Sequence, residues 1–323
     1  MTRSAPPTLL LGADIGGTST RVGVCTTAGE VLGVAAGPAG NPNSVGLEVS
    51  AQRIRAVAEE CLAHAGPGAA ERVGSAVIGL AGGARADQAF LSAVRPTGVS
   101  ILPRLVSDLA VAFSSATPAT QGYVLVAGTG AVAGLIAGGE LLERRDGWGW
   151  LLGDEGSGFW LGREAIRATL ARLQAGTVPV GPLAEAVIRQ AGTRDPVAIV
   201  QLCYANPPVW LSTFAELVAR HADDPVAAAI AERAAVHLVD ALLGLGLDPV
   251  LPVVLAGSVA TRPGPVRSAL RARLDQRLHN PVFTAESGLV GALWLAAGTL
   301  GSPAERVHTR LAQSVSRTSG TLV

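Results

Sequence analysis

Apolar positions in this chain switch between two periods. Leu9, Leu10 and Leu11 read as a buried strand. The chain breaks at Gly12-Ala13-Asp14-Ile15-Gly16-Gly17-Thr18-Ser19 and resumes with Thr20, Val22 and Val24 on one face of a second strand, which predicts a hairpin with a glycine-rich turn. Apolar residues then recur at helical spacing over 47–65 (Ile54, Val57, Ala58, Cys61, Leu62), and 73–80 reads as a strand ending in Ala81-Gly82-Gly83. A further helix and a short strand lead to Val106-Ser107-Asp108, where 109–115 is the next predicted helix.

The second half repeats the first. Gly122-Tyr123-Val124-Leu125-Val126-Ala127-Gly128-Thr129-Gly130 followed by Ala131–Ile136 is another strand, Gly-Thr turn and strand, and Ala28-Gly29-Glu30-Val31-Leu32 is echoed by Gly138-Gly139-Glu140-Leu141-Leu142. Helices are predicted at 182–190, 210–221 and 225–245. Then come a strand and loop at Val253-Val254-Leu255-Ala256-Gly257-Ser258-Val259, a helix at 265–278, a strand at Val282-Phe283 and a helix at 287–297. Strands alternating with helices predict an α/β architecture of duplicated halves. The expected boundaries are 1–117, 118–300 and a tail, 301–323, that is helical and packs back on the first domain.

Composition narrows the function. The 323 residues are 49% hydrophobic and 15% charged with zero formal net charge, so a polyanion-binding surface is not expected. Lys is absent, which removes P-loop and Schiff-base lysines. The glycine turns open period-2 strands rather than helices, which excludes the dinucleotide fingerprint as well. Cys25, Cys61 and Cys203 have no paired spacing, and the five histidines form no metal-ligand pattern. The short apolar run before Asp14 is no secretory segment, so a cytoplasmic chain with no nucleic-acid or membrane partner is expected. A second copy of the chain is a candidate partner.

The stretch GWGWLLGDEGSG at 147–158 places Trp148 and Trp150 around adjacent carboxylates in a chain with five Trp. With Asp14-Ile15-Gly16-Gly17-Thr18, Gly128-Thr129-Gly130 and Ala256-Gly257-Ser258-Val259, it resembles the BadF/BcrA-type ATPases, and within them the N-acetylglucosamine and glucosamine kinases. The resemblance implies a two-domain actin-like, ribonuclease H-like sugar-kinase fold with an ATP cleft between the halves. It also implies phosphate contacts from Gly16, Gly17, Thr18, Ser19, Gly128, Thr129 and Gly130, and nucleoside contacts from Gly257, Ser258 and Val259. Such turns suit phosphate because they expose successive N–H groups with no Cβ in the way. Asp14 at a strand end is placed to hold Mg2+, and Asp108 is a second candidate metal ligand. Asp108 reads as a helix N-cap and also as the base that takes the proton of a sugar hydroxyl, kept ionised by the helix N-terminus.

The sugar contacts implied are Asn41, Asn43, Asp108, Thr129, Asp146, Gly147, Asp154 and Glu155. Asn41 and Asn43 lie in an Asn-Pro turn, which such residues form without any ligand. Trp148 and Trp150 are expected to pack the loop down, and Trp160 to begin the next helix. Glu143-Arg144-Arg145-Asp146 reads as a charged turn, or as an acidic group that favours the 2-ammonium of free glucosamine over N-acetylglucosamine. The first reading is therefore a MgATP-dependent kinase acting on the 6-hydroxyl of glucosamine, with N-acetylglucosamine kinase and an activator-type ATPase as alternatives. The isolated cysteines argue against the last. A sugar-sensing repressor lacks room before Leu9 for a DNA-binding segment.

Overall fold

A computed structural model describes residues 8–80, 87–301 and 303–319; the predicted strand end Ala81-Gly82-Gly83 lies outside them. In chain order the elements begin with β1 (Leu9–Ile15), β2 (Ser19–Thr26), β3 (Val31–Pro38), α1 (Pro42–Val45), α2 (Leu47–His64), β4 (Val73–Leu80), α3 (Gln88–Val94), β5 (Arg104–Ser107) and α4 (Asp108–Ala116). Then follow β6 (Gln121–Ala127), β7 (Ala131–Ala137), β8 (Glu140–Asp146), α5 (Gly158–Gln174), α6 (Pro182–Ala191) and α7 (Pro196–Ala205). A 3-10 helix at Pro208–Phe214 leads to α8 (Ala215–Arg220), α9 (Pro225–Leu243), β9 (Val253–Ala256), α10 (Ser258–Thr261), α11 (Pro265–Arg277) and β10 (Val282–Thr284). The chain ends with α12 (Gly288–Gly298) and α13 (Glu305–Ser319).

Among the described residues the strands form two five-stranded sheets, ordered β3-β2-β1-β4-β5 and β8-β7-β6-β9-β10. The two orders are the same when the second set is renumbered from one, so the duplication seen in the turns extends to the whole sheet. In the first sheet β1 pairs antiparallel with β2 and parallel with β4, and β4 pairs parallel with β5. Asp14 stands opposite Gly79 and Leu80 opposite Ser107, which brings the carboxyl ends of β1, β4 and β5 to one edge. Open α/β sheets offer their binding edge there. In the second sheet β6 runs parallel to β9 with Val126 opposite Ala256, so the Gly128 and Gly257 turns leave from the same edge.

Contacts divide the chain into two units. One takes residues up to 122, 136–141 and from 285 on; the other takes 123–135 and 142–284. Residues 285–300 thus group with the first unit, where sequence order had placed them with the second. The cause is α12, an apolar helix whose Leu289, Leu293 and Ala296 are buried. It lies so close to β1 that a Cβ on Gly12 would stand 2.7 Å from the Leu293 nitrogen. Gly12 is therefore a close-approach residue inside β1 and not part of the turn; the turn is confined to Gly16, Gly17 and Thr18. The tail helix α13 joins the same unit: the Val31 amide donates to Ser314 Oγ at 3.2 Å, and His308 Nε2 donates to the Ser114 carbonyl at 2.9 Å.

Each unit has its own core. Leu9, Ile15, Val24, Ile54 and Leu80 anchor the first, and Leu125, Trp160, Phe214, Ile230 and Leu255 the second. Side chains of this kind contribute about 1.5–3 kcal/mol each when fully buried. The predicted single helix over 210–221 is a 3-10 turn followed by α8, and α7, capped by Asp195 Oδ1 on the Val197 amide at 3.0 Å, was not foreseen.

Candidate functional site

The first unit supplies two carboxylates. Asp14 sits near the end of β1 and Asp108 opens α4, both half-buried. The N-cap of α4 is Ser107, whose Oγ accepts from the Ala110 amide at 3.1 Å, so the capping role expected of Asp108 belongs to its neighbour. This frees Asp108 of the cap, and its Oδ1 accepts the adjacent Leu109 amide at 3.1 Å. Burial first, and then the charge of Asp14, push the Asp108 carboxyl up to about 6, against the helix amides. The helix N-terminus thus does not keep the proton affinity of this carboxylate at its ordinary value, because desolvation outweighs the dipole. Burial also raises Asp14, opposed by the guanidinium of Arg21 across the β1–β2 pair. A Cβ on Gly288, the first residue of α12, would run into the Asp14 carboxylate, so Asp14 lies against a second helix N-terminus.

A buried carboxylate whose proton affinity is raised by a second one beside it is relieved by a cation, and Mg2+ usually takes one or two carboxylates and keeps its waters. Asp14 and Asp108 fit that ion. Among the described residues no group of three His, Cys, Asp or Glu is placed to hold a metal, which argues against a site enclosed by side chains.

The turn Gly16-Gly17-Thr18-Ser19 is closed by the Gly16 amide donating to the Ser19 carbonyl at 2.9 Å, and leaves Gly17 and Thr18 exposed at its tip. Asn41 Oδ1 accepts the Asn43 amide at 2.9 Å as N-cap of α1, while Asn43 is exposed. The preceding residue is pressed on the sheet: a Cβ on Gly40 would stand 2.9 Å from Ile15 Cγ2, one residue from Asp14.

The second unit builds a glycine-lined turn and a carboxylate loop. The Gly158 amide donates to the Gly128 carbonyl at 2.7 Å and the Phe159 amide to the Thr129 carbonyl at 3.1 Å, which ties the first turn of α5 to the β6–β7 turn. Gly257 has φ of 82°, and a Cβ there would collide with the Ala127 carbonyl. Gly257→Ala is expected to lower stability by about 1–3 kcal/mol, read by melting.

Asp146 and Asp154 are the two non-glycine residues with positive φ among those described, at 60° and 57°. Such conformations concentrate at functional sites. Asp146 Oδ1 accepts the Asp154 amide at 2.7 Å and Oδ2 the Glu155 amide at 2.9 Å, so its carboxylate clasps the loop. Glu143-Arg144-Arg145-Asp146 is the end of β8 and not a turn; Glu143 pairs with Arg145 at 2.6 Å. Asp154 lies against the turn, since a Cβ on Gly130 would stand 2.6 Å from its Oδ2. Burial raises its carboxyl; the Gly149 and Ala131 amides oppose that shift and Asp146 adds to it.

The tryptophans divide differently from the expectation. Trp160 is 3% exposed in the core, whereas Trp148 and Trp150 are 62% and 46% exposed and do not form a packed base. Trp150 meets Phe159 at 5.7 Å between ring centroids, and Arg144 lies over Trp148 at 4.7 Å. Glu155 is braced by Arg163 at 3.6 Å and His237 at 3.9 Å. Arg163 also bonds the buried Glu164 at 3.3 Å, which further collects Arg167 and Arg233. The spacing of Glu164 and Arg167 on one helix was a legible signal; the link to Glu155 was not, because Arg233 and His237 come from α9.

A cavity of about 510 Å3 in this unit is bordered by Gly128, Thr129, Gly158 and Ser258 and extends over Val259, Leu161 and Val266. Both glycine turns therefore open on one space of nucleotide size.

The chain matches the family model for the BadF/BadG/BcrA/BcrD ATPase family over residues 11–296. It belongs to that family. Among curated relatives, the N-acetyl-D-glucosamine kinase of Dictyostelium discoideum is 26% identical over 294 residues, 84% of this chain and 92% of that protein. The N-acetylmuramic acid/N-acetylglucosamine kinase of Clostridium acetobutylicum is 30% identical over 165 residues, 50% of this chain; the match spans about half of that relative, 53%. A solved Chromobacterium violaceum protein proposed to be an N-acetylglucosamine kinase superposes with a TM-score of 0.74 at 27% identity, covering 90% of this chain and 99% of the other. The fold is the actin-like one shared by this family and the ROK sugar kinases. No described helix is long and apolar enough to cross a membrane.

Proposed function

We propose that this BadF-family chain is an ATP-dependent hexosamine kinase that phosphorylates the 6-hydroxyl of N-acetylglucosamine. The observation that carries the reading is Asp108: a half-buried carboxylate at a helix N-terminus, free of a capping duty, paired with Asp14 and pushed to about 6. A base with that proton affinity is ionised at neutral pH yet basic enough to take a proton from a hydroxyl as it attacks.

ATP, when bound with Mg2+, supplies a γ-phosphoryl group whose charge the metal offsets. Asp14 would hold that metal, which leaves the Asp108 carboxylate free to take a proton. The amides and hydroxyls of Thr18, Ser19 and Thr129 would bind phosphate oxygens, and Gly257, Ser258 and Val259 would border the nucleoside. Asp108 receives the O6 proton as the phosphorus–oxygen bond to sugar forms and that to the nucleoside diphosphate breaks. Asp154 and Glu155 accept adjacent sugar hydroxyls, with Asn41 and Asn43 offering amides.

N-acetylglucosamine is preferred to glucosamine because the relatives' names agree on it and the acidic groups invoked for an ammonium are engaged: Asp146 with two amides, Glu143 with Arg145. The test is product identity. Incubation with MgATP and N-acetylglucosamine is expected to yield a phosphomonoester whose phosphorus couples to the C6 protons in NMR; phosphate on another carbon, or none, sinks the reading.

A further inference from the structure

The phosphate turns occupy only part of the wall of the 510 Å3 cavity. The remaining charged or hydroxylic side chains on it are Ser212, Glu216, Arg220, Arg262 and Arg267. Their hydrogen-bonding character is lopsided. Glu216, the one carboxylate, is committed to Arg220, whose Nη2 and Nε donate to Oε1 at 2.7 Å and 3.1 Å. The guanidinium groups of Arg262 and Arg267 have no hydrogen-bond or ion-pair partner among the described residues. Arg262 follows α10 directly and Arg267 lies in the first turn of α11, so both are carried by the elements that follow the Gly257 turn. No Asn or Gln lines the cavity among the described residues.

A nucleotide with its phosphates on the Gly128 turn presents its base to this remaining wall. Guanidinium groups pair bidentately with the O6 and N7 acceptors of an oxo-purine, whereas adenine, with a donor at N6 beside N7, is matched by Asn or Gln amides. We propose that the cavity takes oxo-purine nucleoside triphosphates, guanine or hypoxanthine, at least as readily as ATP, with Arg262 and Arg267 reading the O6/N7 edge. The proposal rests on the kinase reading for its turnover, not for its binding. The γ-phosphoryl group passes to the sugar as before, and the leaving group becomes the corresponding nucleoside diphosphate.

The experiment has two arms. In the first, kcat/KM for N-acetylglucosamine phosphorylation is compared for ATP, GTP and ITP in the wild type and in Arg262→Gln and Arg267→Gln. The expected result is a wild-type value for GTP and ITP equal to or above that for ATP. Each variant should lose about tenfold toward GTP and ITP while ATP changes less than about threefold, because Gln suits adenine. A wild-type GTP value below about one-tenth of that for ATP overturns the proposal, as does an equal loss toward all three donors.

The second arm is calorimetric binding of ADP and GDP to the protein without sugar. GDP binding as tight as ADP supports the proposal even if no donor phosphorylates the sugar, an outcome that would instead sink the kinase reading. ADP binding without GDP binding overturns the proposal and leaves the kinase reading intact.

Discussion

Asp108→Asn is expected to lower sugar-dependent kcat by about a thousandfold while leaving nucleotide affinity within a few fold, since a positioned general base contributes roughly 10²–10⁴. The isosteric amide keeps the contact with the Leu109 amide but cannot take a proton. The same substitution should stabilise the protein at neutral pH. The folded chain holds a proton on Asp108 up to about pH 6 that the unfolded chain releases near the ordinary 3.8, so across that window stability falls as pH rises. At pH 7 the shift is a penalty on the order of 2–3 kcal/mol, which the amide removes apart from its own desolvation. Melting temperatures of the two proteins should therefore converge near pH 4 and separate above pH 6, with Asp108→Asn the higher. The wild-type pH profile of kcat/KM should fall below about 6 as the base is protonated. A profile flat from pH 5 to 8, or a variant less stable at pH 7, would contradict this account of the site.

Asp146→Ala is expected to raise KM for the sugar at least tenfold with a smaller change in KM for ATP. The residue clasps two consecutive amides, and its removal leaves the left-handed turn at Asp154 without the bonds that hold it. Hydrogen bonds to a charged group contribute about 1.5–3 kcal/mol each, and loss of both releases the carboxylates of Asp154 and Glu155 from one geometry. Asp146→Asn retains one acceptor and should recover part of the loss. A direct sugar contact at Asp146 with no clasping role predicts the reverse: the Asn variant would be as poor as the Ala variant, and the loop's resistance to proteolysis would not change.

Much of the fold was legible because its signals are local. The period-2 runs, the glycine turns and the Ala28–Leu32 echo at Gly138–Leu142 each depend on a few neighbouring residues, and they predicted β1, β2, β6, β7 and the duplication, whereas β3 and β8 were not read as strands. What failed depends on tertiary contact. Gly12 looked like a turn residue because nothing near it in sequence shows that Leu293 presses on it. The grouping of α12 with the first unit, and the exposure of Trp148 and Trp150, are likewise set by what packs where. At the site, Asp14 and Asp108 were singled out from their positions at strand ends, and Asp154 from the resemblance of its loop to the family's. The clasp by Asp146, the brace on Glu155 through Arg163 and His237, and the unpartnered Arg262 and Arg267 were not, because each is a relation between elements distant in sequence.

The central claim is that phosphoryl transfer depends on an amino sugar, and the release of ADP from MgATP tests it most directly. It should be followed with N-acetylglucosamine, glucosamine, glucose or no sugar, on the wild type and on Asp108→Asn. The account predicts release that requires a sugar, is fastest with N-acetylglucosamine and is lost in Asp108→Asn. Release at the same rate with and without every sugar would contradict it and make the chain an ATPase of another kind.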